Sequence, residues 1–517
     1  MTTLSALLNA AARDYPNRPA ITDGNGTLNW RGFAKRVELA ATRLAESGVV
    51  DADRVALWLP NSADALAMVF ACARLGALAV NINTRFRAAE VADLLQRSKA
   101  RVLVTEWDFE PVDFPGIFRS ISPGERPDLR TIIGRHLPPD IAEIGGLATQ
   151  PFEGTTAGPP ADVATPQSLS VTFTTSGTTS GPKLVVHNQA SLAGHAVEVA
   201  RATGLDQKDA SLLAAVPFCG TFGLAAALAA VAGSAQIVCM DRFDGAEAVA
   251  LIRRHTITHA IGGDDMLARI IEASAGVPFS SMRWFGFAAF SSSAPATALA
   301  ADAIGLAPHG VYGSSEVQAL FSISHGADRL RSGGRPVSND AVVSVRDPQT
   351  GEPLPAGNSG ELCFKALSRF LGYLNDDAAT ARATTSDGSF RSGDLGRLEG
   401  DSFIFEARLG DTLRLGGFMV NPEEIEGFLV GLPGVSGAQV VGVEQAGALK
   451  PVAFVTTDSD EAFDEARLLR CCAESIARFK VPVRIIAIDE FPVTDGPNGR
   501  KIQRIRLREM ATAMLKE

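Results

Sequence analysis

Between Asp209 and Asp241 the chain carries no charged side chain, and this run restricts the fold more than any other feature. Such a run is either a membrane span or a segment buried on every side of a large globular protein. Pro217, Gly220, Gly223 and the stretch Gly233 to Gln236 divide it, and its middle is rich in alanine rather than leucine. The pieces therefore read as strand, loop, buried helix and strand, with no transmembrane span. Enclosing such a helix takes a sizeable core, and 517 residues, 46% of them hydrophobic and 21% charged, allow one.

That length exceeds one ordinary domain, so a large body and at least one smaller module are expected. A formal charge of -10 argues against a nucleic-acid partner held by backbone phosphates, and an acidic surface disfavours anionic membranes. The six cysteines have no spacing suited to zinc or to a disulfide framework. The N-terminus lacks the basic start of a secretory signal. Leu4, Leu7, Leu8 and Ala11 share one helical face, as in a helix packed on its own protein. The expected location is the cytoplasm.

From Thr27 to Asn83 helix-period segments alternate with short aliphatic runs such as "RVALWLP" and "ALAVNIN", the signature of α/β layering. Gly145 to Pro166, rich in Gly, Pro, Thr and Ala, reads as a surface connection. From about residue 335 short strands and turns take over. After "RLGDTLRLGGFMV" a helix is expected with Asn421 as N-cap, Pro422 at its first position and Glu423 and Glu424 in its first turn. Two strands and a helix over Glu461 to Ala477 complete an α+β module. The fold class is thus α/β: a large N-terminal domain of layered α/β subdomains plus a β-rich subdomain, residues 1–409, and a small α+β C-terminal domain, residues 410–517.

The segment "FTTSGTTSGPKLVVH", Phe173 to His187, runs a short strand into a loop of Thr, Ser and Gly that ends on Pro182-Lys183. Leu169, Val171 and Phe173 alternate with polar residues, so the strand is expected to bury one face and to deliver its loop at a sheet edge. Gly177 and Gly181 let backbone N–H groups converge on an anion. Hydroxyls of Thr175, Ser176, Thr178, Thr179 and Ser180 add donors, and Lys183 adds charge. The spacing is not that of a Walker loop, because Pro182 separates Gly181 from Lys183. Phosphate binding and a flexible linker both fit the loop taken alone.

Four more segments follow in order: "VYGSSE" (Val311 to Glu316), "FRSGDLG" (Phe390 to Gly396), "ARLGDTLRLGGFMVNPEEIE" (Ala407 to Glu426) and "GPNGRKIQR" (Gly496 to Arg504). Together with the loop they resemble the adenylate-forming enzymes: acyl-CoA and aryl-CoA ligases, adenylation domains of peptide synthetases, and firefly-type luciferases. The resemblance spans nearly the whole chain.

It implies a role for each motif. Thr175, Ser176, Gly177, Thr178, Thr179 and Lys183 would hold the outer phosphates of ATP. Tyr312, followed by Gly313, would stack on adenine, Ser315 would meet the α-phosphate, and Glu316 would hold Mg²⁺. Asp394 would accept hydrogen bonds from the ribose hydroxyls, and Arg408 would reach the nucleotide from the domain junction. Lys501 would bridge the attacking carboxylate and the nucleotide. The small domain would rotate about a hinge at Gly410, presenting Lys501 for the first half-reaction and Gly416 and Gly417 for the second, with coenzyme A.

The sequence departs from the family at several points. Gly410 replaces the usual Asp or Lys at the hinge, and Leu184 follows Lys183 where glycine is common, which leaves His187 a structural residue. Gly220 stands where many relatives have a bulky residue, suggesting room for a large acid. Gly313, Val317, Phe287 and Ala288 complete the expected acid-binding set, with Phe287 and Ala288 equally suited to a core. No aspartate is placed to pair with an α-ammonium, which points to an apolar acid. With no carrier domain expected after the lysine segment, coenzyme A is the simplest acceptor. The expected function is ATP-dependent acyl-CoA ligation of a small-molecule hydrophobic acid, with a homodimer left open. A ligase loading a carrier protein, and a non-catalytic nucleotide-binding homologue, remain the alternatives.

Overall fold

The computed structural model describes residues 2–515 apart from 156, 176–182, 290–293, 410–412, 416–417, 421, 446–447, 458–462, 477 and 497–498. The uncharged run folds as its sequence predicts. Ser211–Ala214 and Gln236–Cys239 are parallel neighbours in one sheet, and the helix Thr221–Ala232 between them is buried from Thr221 to Val231. Gly223 lets that helix seat on the preceding turn, since a Cβ there would lie 2.3 Å from the Pro217 carbonyl oxygen. Among the described residues, no helix is long and apolar enough to cross a membrane.

The two strands belong to a thirteen-stranded sheet. One half is a layered α/β unit in which Gln236–Cys239, Ser211–Ala214, His259–Gly263, Trp284–Ala288 and Pro308–Ser314 run parallel. The direction then reverses. Gln318–Ile323 pairs antiparallel with Pro308–Ser314 and leads into the β-rich half, through Gly333–Pro336 to Ser402–Arg408, Phe390–Glu399, Gly360–Lys365 and Val342–Arg346. Ligands of α/β folds gather beyond the carboxyl ends of the parallel strands, and this reversal lies at one such end.

A nine-stranded sheet forms the other layer, with Leu78–Asn81, Arg54–Trp58, Val102–Glu106 and Thr131–Arg135 parallel at its centre. Leu169–Thr174 joins it between Leu78–Asn81 and Leu184–Asn188. This corrects the expectation of a strand with only one face buried. The chain returns after the hydroxyl-rich loop as its antiparallel neighbour, and Ser170 and Thr172 are as buried as Val171, so both faces of the strand are covered. Within Gly145 to Pro166, read as a bare connection, Leu147–Pro151 is a further strand of this sheet.

The N-terminal helix Leu4–Asp14 buries Leu4, Leu8 and Ala11, with the Thr3 hydroxyl accepting from the Ala6 N–H at 3.2 Å. Near the other end, Pro422–Val430 begins on the expected proline with Glu423 and Glu424 in its first turn; Asn421 lies outside the described residues. The second helix of this module is Glu465–Ser475, shorter than read, with Asp464 as N-cap. These helices pack on the strands Val435–Gln445, Ala448–Thr457 and Arg484–Ala487 around Leu413, Ile425, Val440, Ala453 and Ile485. The hairpin Val493–Gly496/Gly499–Ile502 lies beside the helix Asp264–Ser274 of the preceding α/β layer. All six cysteines are free.

Candidate active site

Of the predicted residues, Tyr312, Gly313, Ser315, Glu316 and Val317 lie at the reversal between Pro308–Ser314 and Gln318–Ile323, and Asp394, Arg408 and Lys183 connect to it. The ladder shifts register between Tyr312 and Ser314, and Gln318 and Leu320 hold left-handed backbone angles of φ 66° and 63°. Side chains other than glycine rarely adopt that conformation, and it persists only where surroundings enforce it. Here the Gln318 amide donates to the carbonyl oxygens of Ser191 and Ser368 at 2.9 and 3.3 Å. Gly313 is needed for close approach, since a Cβ would meet Ala319 Cα and the Gln318 carbonyl oxygen at 2.5 Å.

His187 supports the same turn from beneath. It is fully buried, and its Nε2 lies 2.8 Å from the Ser315 carbonyl oxygen, so that nitrogen carries the proton. Burial lowers its pKa to about 4, which keeps the ring neutral. His195, eight positions on along the sequence, contacts the Ala319 carbonyl oxygen in the same way at 2.8 Å, and burial lowers it to about 4 as well. His187 is thus structural, as read from the sequence; His195 was missed.

One wall gathers three predicted residues. Asp394 follows Gly393, which turns at φ 69°, and pairs across the ladder with Arg408. Asp394 is 4% exposed; Tyr312 donates its hydroxyl to Asp394 Oδ2 at 2.5 Å, and Arg408 approaches Oδ1 at 2.9 Å. Burial raises the Asp394 pKa, opposed by the Arg408 charge and the Tyr312 hydrogen bond. Oδ1 accepts no hydrogen bond among the described residues. The Tyr312 ring is wedged against Phe403, Phe364 and Phe405, with centroids 5.1, 5.4 and 5.9 Å away.

A second cluster joins the base of the hydroxyl-rich loop to this turn. The Thr175 N–H donates to the Lys183 carbonyl oxygen at 3.0 Å and the Lys183 N–H to the Thr175 hydroxyl at 3.1 Å, closing the base of the loop. Ser176, Gly177, Thr178 and Thr179 lie outside the described residues. Lys183 Nζ stands 4.7 Å above the centroid of Tyr373, whose hydroxyl donates to Glu316 Oε1 at 2.9 Å. Burial and the Glu316 charge push the phenol pKa up, so the hydroxyl stays a donor. Tyr373 was missed because its partner is 57 positions away.

The other predicted residues are more dispersed. Gly220 is the N-cap of Thr221–Ala232, and the Thr221 hydroxyl accepts from the Ala319 N–H at 3.3 Å, bringing that helix start beside the turn. Phe287 is buried in the large core and Ala288 ends its strand, while Val317 packs with Tyr312, Phe321 and Phe364. Lys501 lies in Gly499–Ile502, its backbone opposite Thr494. Gly410, Gly416 and Gly417 lie outside the described residues. Among the described residues no group of three or more metal-binding side chains occurs.

The AMP-binding enzyme family model matches residues 8–374, and that of the AMP-binding enzyme C-terminal domain matches residues 424–496. A 2-succinylbenzoate–CoA ligase of Geobacillus kaustophilus is 29% identical over 95% of this chain and 95% of its own. A 2-hydroxy-7-methoxy-5-methyl-1-naphthoate–CoA ligase of Streptomyces carzinostaticus is 27% identical over 99% of this chain and 94% of its own. ATP-bound MatB from Rhodopseudomonas palustris shares the fold, with TM-score 0.83, 23% identity and coverage of 99% of this chain and 100% of its own. The chain belongs to the AMP-binding enzyme family, as an AMP-forming acid–thiol ligase.

Proposed function

We propose that the enzyme activates a hydrophobic carboxylic acid as an acyl-adenylate and passes the acyl group to coenzyme A. The observation that carries this is the convergence of the Tyr312–Asp394–Arg408 set and the Lys183–Tyr373–Glu316 set on one reversal of the sheet. A carboxylate oxygen of the acid attacks the α-phosphorus of ATP, the bond to the bridging oxygen breaks, and pyrophosphate leaves. The thiol of coenzyme A then adds to the acyl carbon, and AMP departs with the bonding electrons. Both steps need charge stabilisation and alignment rather than a protein nucleophile.

Asp394, buried and with Oδ1 accepting no hydrogen bond among the described residues, suits the paired ribose hydroxyls. Tyr312 braces that carboxylate and is the residue read as stacking on adenine, and Arg408 supplies positive charge beside it. Lys183 and the loop from Thr175 take the outer phosphates, and Ser315 the inner one. Lys501 draws the acid's carboxylate to the nucleotide. Mg²⁺ fits the donor set here, one oriented carboxylate on Glu316 completed by phosphate and water oxygens. When bound, it neutralises charge on the phosphate oxygens.

In this reading residues 1–409 bind ATP and acid, and residues 410–517 rotate about Gly410 to bring Gly416 and Gly417 toward coenzyme A. Phe287, Ala288, Gly313 and Val317 border the acid site, and Gly220 leaves it room for a bulky aliphatic, alicyclic or aryl acid. The aryl acids in the names of the two ligase relatives support that size. The compartment is the cytoplasm, where ATP and coenzyme A meet. The test is a panel of acids of graded size, scored for pyrophosphate release and for acyl-CoA by mass. Release without acyl-CoA, but with acylation of a carrier protein, would overturn the acceptor. No release with any acid would overturn the reading.

A further inference from the structure

Tyr373 belongs to none of the motifs that carry the proposed chemistry, yet three parts of the site meet on it. Its strand, Gly372–Tyr373, is at the edge of the nine-stranded sheet and sets Tyr373 opposite Val185, two positions after Lys183. Its hydroxyl binds Glu316 Oε1 at 2.9 Å and its ring lies 4.7 Å from Lys183 Nζ. The same segment grips the backbone of Glu316, whose carbonyl oxygen accepts the Phe370 N–H at 2.6 Å, and the Phe370 ring packs on Tyr373 at 5.0 Å. Tyr373 is 7% exposed, so packing holds it in this orientation.

We infer that Tyr373 is a positioning residue that couples the metal carboxylate to the phosphate-loop lysine. The inference rests on the reading that Glu316 holds Mg²⁺ and Lys183 contacts the outer phosphates of ATP. A phenol O–H on one carboxylate oxygen fixes the plane of the group and leaves the other oxygen for a hard cation. The same ring gives the lysine ammonium a cation–π seat, so the two positive partners of the triphosphate are set by one side chain.

The experiment is equilibrium binding of ATP to the full chain by calorimetry, with Mg²⁺ and with EDTA. Tyr373→Phe keeps the ring and removes the hydroxyl. Its gain in ATP affinity on adding Mg²⁺ should fall about tenfold, with affinity in EDTA within about twofold of wild type. Tyr373→Leu should lose the same gain and bind ATP about threefold more weakly in EDTA as well, because the lysine has lost its seat. Thermal melting of both variants identifies any loss of fold, and the phenylalanine variant then decides.

Equal weakening of Tyr373→Phe with and without Mg²⁺ would mark a merely structural residue and overturn the inference. So would an unchanged Mg²⁺ gain in Tyr373→Phe while Glu316→Gln loses it. If Glu316→Gln itself keeps the full gain, the reading of Glu316 as the metal carboxylate fails, and the inference with it.

Discussion

Asp394 shows how one side chain becomes suited to its task. Its backbone turn needs Gly393, its burial comes from the ladder on either side, and Tyr312 and Arg408 each engage one carboxylate oxygen. Asp394→Asn keeps the shape but removes the charge facing Arg408 and half the acceptor capacity. It should raise the ATP KM about tenfold or more, from the loss of roughly 1.5–3 kcal/mol of charged hydrogen bonding. Steady-state kinetics with saturating acid checks this, and an ATP KM close to wild type would remove Asp394 from the nucleotide site. The residue identities here were legible in the motifs. Their connections were not, because Tyr312 and Asp394 are 82 positions apart and no local pattern joins them.

Whole elements were read best where local rules decide them. Pro422, Glu423 and Glu424 start a helix by their own chemistry, and Leu4, Leu8 and Ala11 mark its buried face on another. The strand Leu169–Thr174 was misread because Ser170 and Thr172 suggest a wet face, whereas the strand lies inside the sheet with both of its faces covered. The returning strand Leu184–Asn188 and the helix Gln189–Thr203 carry His187 and His195, both buried and neutral under the turn of the site. Burial depresses both pKa values from 6.5 to about 4, so between those values the unfolded chain binds more protons than the folded one. Their stabilisation is present above pH 6.5 and is lost as pH falls toward 4. Between about pH 6.5 and 5 each should cost roughly 1–2 kcal/mol, read from urea midpoints. A His195→Gln variant should show a shallower pH dependence over that range, and an unchanged slope would contradict the assignment.

At the scale of the molecule, two layered sheets make the candidate site and a separate small module carries Lys501 on the hairpin beside Asp264–Ser274. The change in texture near residue 335 and the α+β pattern toward the C-terminus were readable because each unit has its own periodicity. The merging of the β-rich strands with an α/β sheet into one thirteen-stranded sheet was not, since strand order across long connections leaves no local trace. If the two half-reactions use different faces of the small module, Lys501→Ala should slow adenylation by about two orders of magnitude or more and leave thioester formation from supplied acyl-adenylate within about threefold. Equal loss in both half-reactions would argue against a lysine with a one-sided role.

The central claim is that the acid's own oxygen attacks the α-phosphorus. The direct measurement uses the best acid of the panel with a heavy-oxygen-labelled carboxylate, and mass analysis of every phosphorus-containing product. The account predicts one labelled oxygen in AMP and none in pyrophosphate. Label in inorganic phosphate, with ADP as the nucleotide product, would contradict it.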